Sequence, residues 1–189
     1  MLKEHPSFSL YCEKLAQAQL APWSGTIFRS ATIHHGSAED LISGHGSAIA
    51  GGRWNPPGLQ AVYGSLEAGL SVDESFNAIL RGFGFSIEDI HPRVVVGIEL
   101  NLEAVFILKT SSEIPGWIDY EHLLTIDWRA ENAAGRESAS QAFGRAVAQF
   151  GEALITGSSI RTGLNIAIFP DSIRPGSIFR VIHGDELPG

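Results

Sequence analysis

Apolar residues recur at intervals of three and four between residues 137 and 150, and this spacing predicts an amphipathic helix. Its apolar stripe consists of Ala139, Ala142, Phe143, Ala146, Val147 and Phe150. A second helix is predicted over residues 65–81, with Ser65 as its N-cap and Glu67 in its first turn. A third is predicted over residues 8–20, ending at Pro22.

Runs rich in β-branched and aromatic residues predict strands between these helices. The runs cover residues 26–29, 61–63, 93–100, 104–109, 153–156, 165–169 and 177–183. Several strands with few intervening helices favour an α+β domain over a doubly wound sheet. No GxGxxG motif follows a strand, which disfavours a Rossmann domain.

The 189 residues are expected to form an N-terminal helical segment, residues 1–25, and one main domain, residues 26–189. Residues 31–60 are polar and Gly-rich and are predicted to be a long loop, of a kind that is usually functional or mobile. With 44% hydrophobic and 18% charged residues, the chain can bury a sizeable core.

The net charge of -8 argues against nucleic acid as a direct partner. Cys12 is the only cysteine, so a disulfide framework and a thiolate metal cluster are excluded. No apolar run approaches the roughly 18 residues of a membrane span, and the first residues have no signal-peptide core. A soluble, cytoplasmic protein is expected.

The segment from Gly51 to Gly58 places Arg53 and Trp54 in a loop that glycine and proline keep from becoming helical. A flexible backbone beside a guanidinium is suited to binding a phosphate. Arg53 would alternatively hold a loop carbonyl or a carboxylate. Trp54 is expected to pack, and the Asn55–Pro56 pair is typical of a turn.

Three further positions carry candidate chemistry, each with a structural alternative. Arg29 ends a predicted strand, where arginines are mostly solvated. Tyr63 would stack on a flat heterocycle or lie half in the core. Glu74 falls opposite the apolar helix face formed by Ala68, Val72, Phe76, Ile79 and Phe83, so it lies on a solvated face or on a face that lines a ligand cleft.

The remaining polar residues give weaker signals. The Gly157–Arg161 loop has ordinary turn residues, and no GxSxG elbow supports a serine hydrolase. His34, His35 and His45 lie in the long loop without the spacing of metal ligands, so no metal is expected and these residues would act in the loop or in gating.

The sequence resembles the signature of the RES domain family. The resemblance rests on Arg29, on GRWNPPG at residues 52–58, on VYGS at residues 62–65, on Glu74, and on Ser159-Ile160-Arg161 followed by Asn165. It covers about residues 26–183. The third block of the family usually reads Pro-Ser-Ala-Arg, and Ser158 stands at the proline position, so both Ser158 and Ser159 are candidates for the site serine.

The resemblance implies a bacterial toxin with a fold similar to ADP-ribosyltransferases: a split antiparallel or mixed sheet with flanking helices. It implies NAD⁺ as the substrate and an antitoxin of the Xre helix-turn-helix type as the partner. The ADP-ribose would pass to water, phosphate or a protein such as phosphoribosyl pyrophosphate synthetase.

Roles for individual residues follow from the same resemblance. Arg53 and Arg29 would bind phosphate or ribose oxygens, and Tyr63 would stack on nicotinamide. Glu74 would bind a ribose hydroxyl and offset the developing positive charge, while Ser159 would position the nicotinamide ribose.

Two other classes stay open at this point. A non-catalytic module would bind a nucleotide, or inhibit a partner by contact, without turnover. A glycosidase would use paired carboxylates from Glu67, Asp73 and Glu74.

Overall fold

A computed structural model describes residues 2–82, 92–108, 115–160 and 162–187, with side chains omitted for residues 77–82. Four residues with predicted roles, Ile79, Phe83, Lys109 and Arg161, therefore lie outside the described side chains. Within the described part, no helix combines the length and apolarity needed to cross a bilayer.

Helices and strands alternate irregularly along the chain. The helices are α1 (Phe8–Leu15), α2 (Ala38–Ser43), α3 (His45–Ala50), α4 (Ala68–Gly82), α5 (Tyr120–Thr125), α6 (Trp128–Ala133) and α7 (Ala139–Phe150). The strands are β1 (Ala21–Thr32), β2 (Val62–Ser65), β3 (Arg93–Leu108), β4 (Ala153–Gly157), β5 (Leu164–Ile168) and β6 (Ile178–Val181).

The described strands form one mixed sheet in the order β1-β2-β5-β4-β3-β6, and β1 also pairs with β3. Five of the strands therefore close into a ring, with β6 outside it. Strand β3 changes its partner along its length: residues 98–101 pair antiparallel with β6, while residues 105–108 pair parallel with β4. The mixed sheet with flanking helices confirms the predicted α+β class.

The two faces of the sheet carry separate cores. Side chains from all five strands of the ring form one cluster, which includes Ile27, Val62, Ile98, Ile155 and Ile168. The other face is covered by α7, whose predicted stripe is confirmed: Ala139, Ala142, Phe143, Ala146 and Val147 are all buried, whereas Phe150 is half-buried. The helix begins after Ser138, which forms a capping box with Gln141.

The N-terminal helix packs against α7. The rings of Tyr11 and Phe143 meet edge to face at 5.3 Å, and Leu15 is buried in the same core. The predicted extent of this helix was wrong, because α1 ends at Leu15 and the chain pairs with β3 from Ala21 onward. Pro22 lies at a register shift between Ala21 and Trp23, where its missing N–H breaks no ladder.

Other boundaries also differ from the sequence prediction. Residues 93–108 form one strand rather than two, because Asn101 and Leu102 pair with β1. The segment 31–60 contains α2, α3 and a 3-10 turn at Ile33–His35, so it is not an open loop. Ser65 belongs to β2 and does not cap α4, which begins at Ala68.

Candidate active site

Asn55 organises the loop that carries Arg53. Its buried Nδ2 donates to the carbonyls of Ser47, at 2.9 Å, and Leu59, at 2.7 Å. The hydroxyl of Tyr63 donates to Asn55 Oδ1 at 2.7 Å and accepts the N–H of Trp54 at 2.9 Å. These bonds fasten the loop to β2 and confirm the turn role predicted for Asn55.

Helix α7 holds the same loop through hydrogen bonds from Gln141. Gln141 Nε2 donates to the carbonyls of Gly52, at 3.1 Å, and Asn55, at 3.3 Å. Gln141 also exchanges hydrogen bonds with Asn132 of α6, so one buried amide links α7, α6 and the loop. Trp54 packs against Phe143 of α7 and is 4% exposed, which confirms its predicted packing role.

A cavity of about 1160 Å³ opens above this loop. The candidate site residues all line it: Arg29, Arg53, Tyr63, Glu74 and Ser159. They come from β1, the loop, β2, α4 and the segment after β4. The structure thus brings together the five residues to which the resemblance assigns a role, whereas Ser158, the alternative site serine, does not line the cavity.

Arg29 is half-buried against the sheet rather than fully solvated. Its Nη1 donates to the backbone carbonyl of Tyr63 at 2.8 Å, and its buried Nε has no hydrogen-bond partner among the described residues. Burial, together with the nearby charge of Arg93, lowers the pKa of Arg29 to about 10. The guanidinium is still protonated at neutral pH, and Arg29 lines the cavity.

Arg53 stands on the loop and reaches the end of α5. Its Nη1 donates to the carbonyls of Ile126, at 3.1 Å, and Leu123, at 3.4 Å. The loop-carbonyl alternative is therefore correct, and the same guanidinium also lines the cavity. Burial lowers the pKa of Arg53, and the nearby Glu74 carboxylate opposes this shift.

Glu74 turns toward the cavity. Its Oε1 accepts hydrogen bonds from Ser158 Oγ, at 2.7 Å, and from Asn165 Nδ2. The solvated-face interpretation was wrong, because Leu70, one turn earlier on the same face, is fully buried while Ala68 is exposed. Helix α4 packs on β1 and β2 with the side that carries Glu74.

The two serines after β4 have different surroundings. Ser158 Oγ binds Glu74 and accepts the N–H of Ile160 at 3.1 Å. Ser159 is exposed and lines the cavity. Both serines therefore belong to the site region, one behind the carboxylate and one at the open surface.

Sequence reasoning missed the wall that faces the sheet. This wall comprises residues 124–129 and Asn132, between and within α5 and α6. Asp119 and Asp127 cap these two helices by accepting backbone N–H groups, a signal that the sequence contains. The Arg129 guanidinium lies 4.3 Å above the ring of Trp128, so the wall presents an aromatic group and a cation.

Other candidates lie elsewhere. Glu67 and Asp73 are exposed and do not line the cavity, which leaves a paired-carboxylate glycosidase on α4 without its second acid. His34, His35 and His45 also lie outside the cavity lining. The described residues contain no group of three or more His, Cys, Asp or Glu side chains that could hold a metal ion.

Comparisons with known proteins identify the fold and the family of this chain. In the solved structures, a chain of the M. tuberculosis MbcT–MbcA toxin–antitoxin complex matches with a TM-score of 0.61 and 18% identity, over 97% of each chain. At that identity the match establishes the fold alone. The curated proteins give no match. The RES domain matches residues 26–186, nearly the span predicted from the motifs, and the chain therefore belongs to the RES domain family.

Proposed function

We propose that this chain is an NAD⁺-consuming enzyme that breaks the bond between nicotinamide and ribose and transfers ADP-ribose to an acceptor. We further propose that it acts as the toxin of a toxin–antitoxin pair and that its fold is of the ADP-ribosyltransferase type.

One observation carries the enzymatic proposal: Arg29 and Arg53 line the same cavity as Glu74, and neither guanidinium has a carboxylate partner among the described residues. Holding two half-buried cations in one cavity without a direct ion pair is costly unless a ligand supplies further negative charge. The chain as a whole has a net charge of -8, so this cationic cavity contrasts with its surface. A pyrophosphate is an anion of suitable charge, because a guanidinium can bind it through two parallel hydrogen bonds.

One reactive carboxylate suits cleavage of a pyridinium glycoside, since Asp127, the other acid that lines the cavity, is engaged as the N-cap of α6. When the bond between C1′ and nitrogen breaks, its electron pair returns to the ring nitrogen and nicotinamide leaves as a neutral molecule. No general acid is needed for this leaving group. The positive charge that builds on the ribose can be offset by Glu74, which is held in place by Ser158 and Asn165.

The remaining residues complete the proposed binding mode. The Tyr63 hydroxyl is bonded to the loop, which leaves its ring as the part that can pack against nicotinamide. Ser159, exposed at the cavity surface, would bind the nicotinamide ribose or carboxamide. The cavity volume of about 1160 Å³ leaves room for the rest of a dinucleotide.

The partner proposal rests on the family and on the similar fold found in a toxin–antitoxin complex. We propose an antitoxin of the Xre helix-turn-helix type that covers the cavity. Co-expression with the gene of such a neighbouring protein should restore growth of cells that express this chain and should give a complex that co-purifies. Growth arrest that persists with the complex present would contradict the pairing.

Incubation of the purified protein with NAD⁺ tests the reaction directly, with free nicotinamide measured by chromatography. Turnover is expected for the wild-type protein and loss of turnover for Arg53→Ala. NAD⁺ that binds in calorimetry yet stays intact through a long incubation would instead identify a non-catalytic nucleotide-binding module.

The acceptor requires a separate experiment. Mass spectrometry of products from labelled NAD⁺, in buffer, with phosphate, and with cell lysate, distinguishes free ADP-ribose, its phosphorylated form and a modified protein. A mass increase on a lysate protein such as phosphoribosyl pyrophosphate synthetase would identify protein transfer.

A further inference from the structure

Both hydrogen bonds to Glu74 fall on one of its two oxygens. Oε1 accepts from Ser158 Oγ and from Asn165 Nδ2, while Oε2 has no partner among the described residues. The carboxylate is therefore held at one corner, and its second oxygen is available to a ligand in the cavity that Glu74 lines.

The direction of the Asn165 amide is dictated by its neighbours. A carboxylate only accepts hydrogen bonds, so the Nδ2 of Asn165 must face Glu74 and its Oδ1 must face away. Ser65 Oγ lies 2.7 Å from that Oδ1 and donates to it. A flipped amide would place two acceptors against each other at Glu74 and leave the Ser65 hydroxyl facing the amide N–H groups.

The sheet register makes this arrangement rigid. Asn165 is paired with Ser65 across β2 and β5, and with Thr156 across β4 and β5. Ser65 and Thr156 are both buried. The donor to Glu74 is thus fixed by three adjacent strands, whereas the other donor, Ser158, comes from a loop.

We propose that Asn165, with its amide oriented by Ser65, is the positioning residue that directs Oε2 of Glu74 into the cavity. This inference rests on the proposed function, in which Glu74 offsets charge on the ribose. We call the two hydrogen bonds that run from Ser65 through Asn165 to Glu74 the relay. Because the stabilised charge exists only in the transition state, disturbing the relay lowers kcat and leaves KM for NAD⁺ little changed.

Asn165→Asp tests the relay with an almost identical shape. It places a second carboxyl against Glu74, and two carboxylates in contact share a proton, so one of the pair has a raised pKa. The other titratable groups that line the cavity are Arg29, Arg53, Tyr63, Asp127 and Arg129. We expect kcat to fall about 100-fold at pH 8, and the ratio of variant to wild-type kcat to rise as the pH is lowered.

The chain offers a matched control in a second Ser–Asn pair. Ser24 Oγ donates to Asn101 Oδ1 at 2.7 Å across β1 and β3, on an exposed surface outside the cavity. Asn101→Asp makes the same chemical change there. Its kcat relative to wild type is expected to be near one at every pH.

Ser65→Ala provides an independent second variant, which decides the matter if circular dichroism shows that Asn165→Asp does not fold. Loss of the oriented amide is expected to lower kcat about tenfold with KM unchanged. A ratio for Asn165→Asp that stays flat across pH at the Asn101→Asp level, or full kcat in Ser65→Ala, overturns the relay. Wild-type protein that releases no nicotinamide overturns the proposed function itself, so the two failures are distinguishable.

Discussion

The hydroxyl of Tyr63 and the side-chain oxygen of Asn55 are joined by a hydrogen bond of 2.7 Å, which ties a strand of the sheet to the loop that carries Arg53. The same hydroxyl accepts the N–H of Trp54. Burial raises the pKa of Tyr63, so the hydroxyl stays protonated and can donate throughout the physiological range. The tyrosine is thus a structural clamp as well as a cavity wall.

Tyr63→Phe is expected to lower the free energy of unfolding by about 1–3 kcal/mol, because it leaves the Trp54 N–H and Asn55 Oδ1 without this partner. Urea denaturation measures the change. The ring is retained, so any increase in KM for NAD⁺ reports a displaced loop. An unfolding midpoint at the same urea concentration as that of the wild-type protein would show that the hydrogen bonds of the Tyr63 hydroxyl contribute nothing to stability.

Arg53→Lys is expected to raise KM for NAD⁺ about tenfold, because an ammonium group cannot hold two carbonyls and still present a planar fork to a phosphate. Steady-state kinetics of nicotinamide release provide the measurement. Arg180→Lys is the control, since Arg180 pairs with Glu99 on the exposed surface. Equal KM values for NAD⁺ in the two variants would show that Arg53 does not contribute to ligand binding.

Glu74→Gln is expected to reduce kcat for nicotinamide release by roughly 100-fold or more, because it removes the charge that offsets the ribose cation while keeping the side-chain shape. Glu67→Gln makes the same chemical change as a control, at an exposed residue just before α4 that does not line the cavity. Full activity in Glu74→Gln would exclude the carboxylate from the chemistry.

Glu152 anchors the start of β4 through backbone hydrogen bonds. It accepts the N–H groups of Glu103, Ala104 and Arg174 at 2.7–3.0 Å. Burial alone raises the pKa of this carboxyl, but these bonds outweigh it and the pKa lies below its ordinary value. Its contribution to stability is therefore present above the unfolded-state pKa and is lost as the pH falls through the folded-state pKa.

Glu152→Gln is expected to lower the free energy of unfolding by about 1–3 kcal/mol at pH 7, and this deficit should shrink at acidic pH as the wild-type carboxyl becomes protonated. Urea denaturation of both proteins between pH 7 and pH 3 measures the difference. A deficit that grows on acidification would contradict the assigned direction.

Gly144 allows α7 to approach the site loop closely. A Cβ added there would lie 1.9 Å from the carbonyl oxygen of Trp54, so Gly144→Ala should cost about 3 kcal/mol of stability and displace the loop. Gly46→Ala is the control, because a Cβ at this helical position of α3 meets nothing within 4 Å. Its thermal midpoint should equal or exceed that of the wild-type protein.

The sequence predicted those features that depend on local pattern. The stripe of α7 was visible because one of its faces is apolar and the other is not. The loop of Arg53 was visible because glycine and proline restrict the backbone. The ring closure of the sheet was not predictable, since the pairing of β1 with β3 joins residues that are far apart in the chain.

Within the site, the contacts between individual side chains could not be predicted from the sequence pattern. Helical periodicity predicted a solvent-facing Glu74, because the method uses only the positions of apolar residues and does not distinguish a polar cavity from solvent. The choice between Ser158 and Ser159 likewise depends on the path of a short loop. For the wall formed by α5 and α6, the only sequence signal was the pair of aspartates that cap these helices. No sequence pattern indicated that the wall is part of a cavity.

The closed ring of strands has one narrow joint. In the described residues, β1 and β2 are paired at a single position, Phe28 with Ser65, whereas every other junction of the ring holds a longer ladder. Arg29 directly follows that joint and Ser65 is part of it. Local opening of this joint would move Arg29 and Ser65, which line the cavity, while the longer ladders keep the rest of the ring intact.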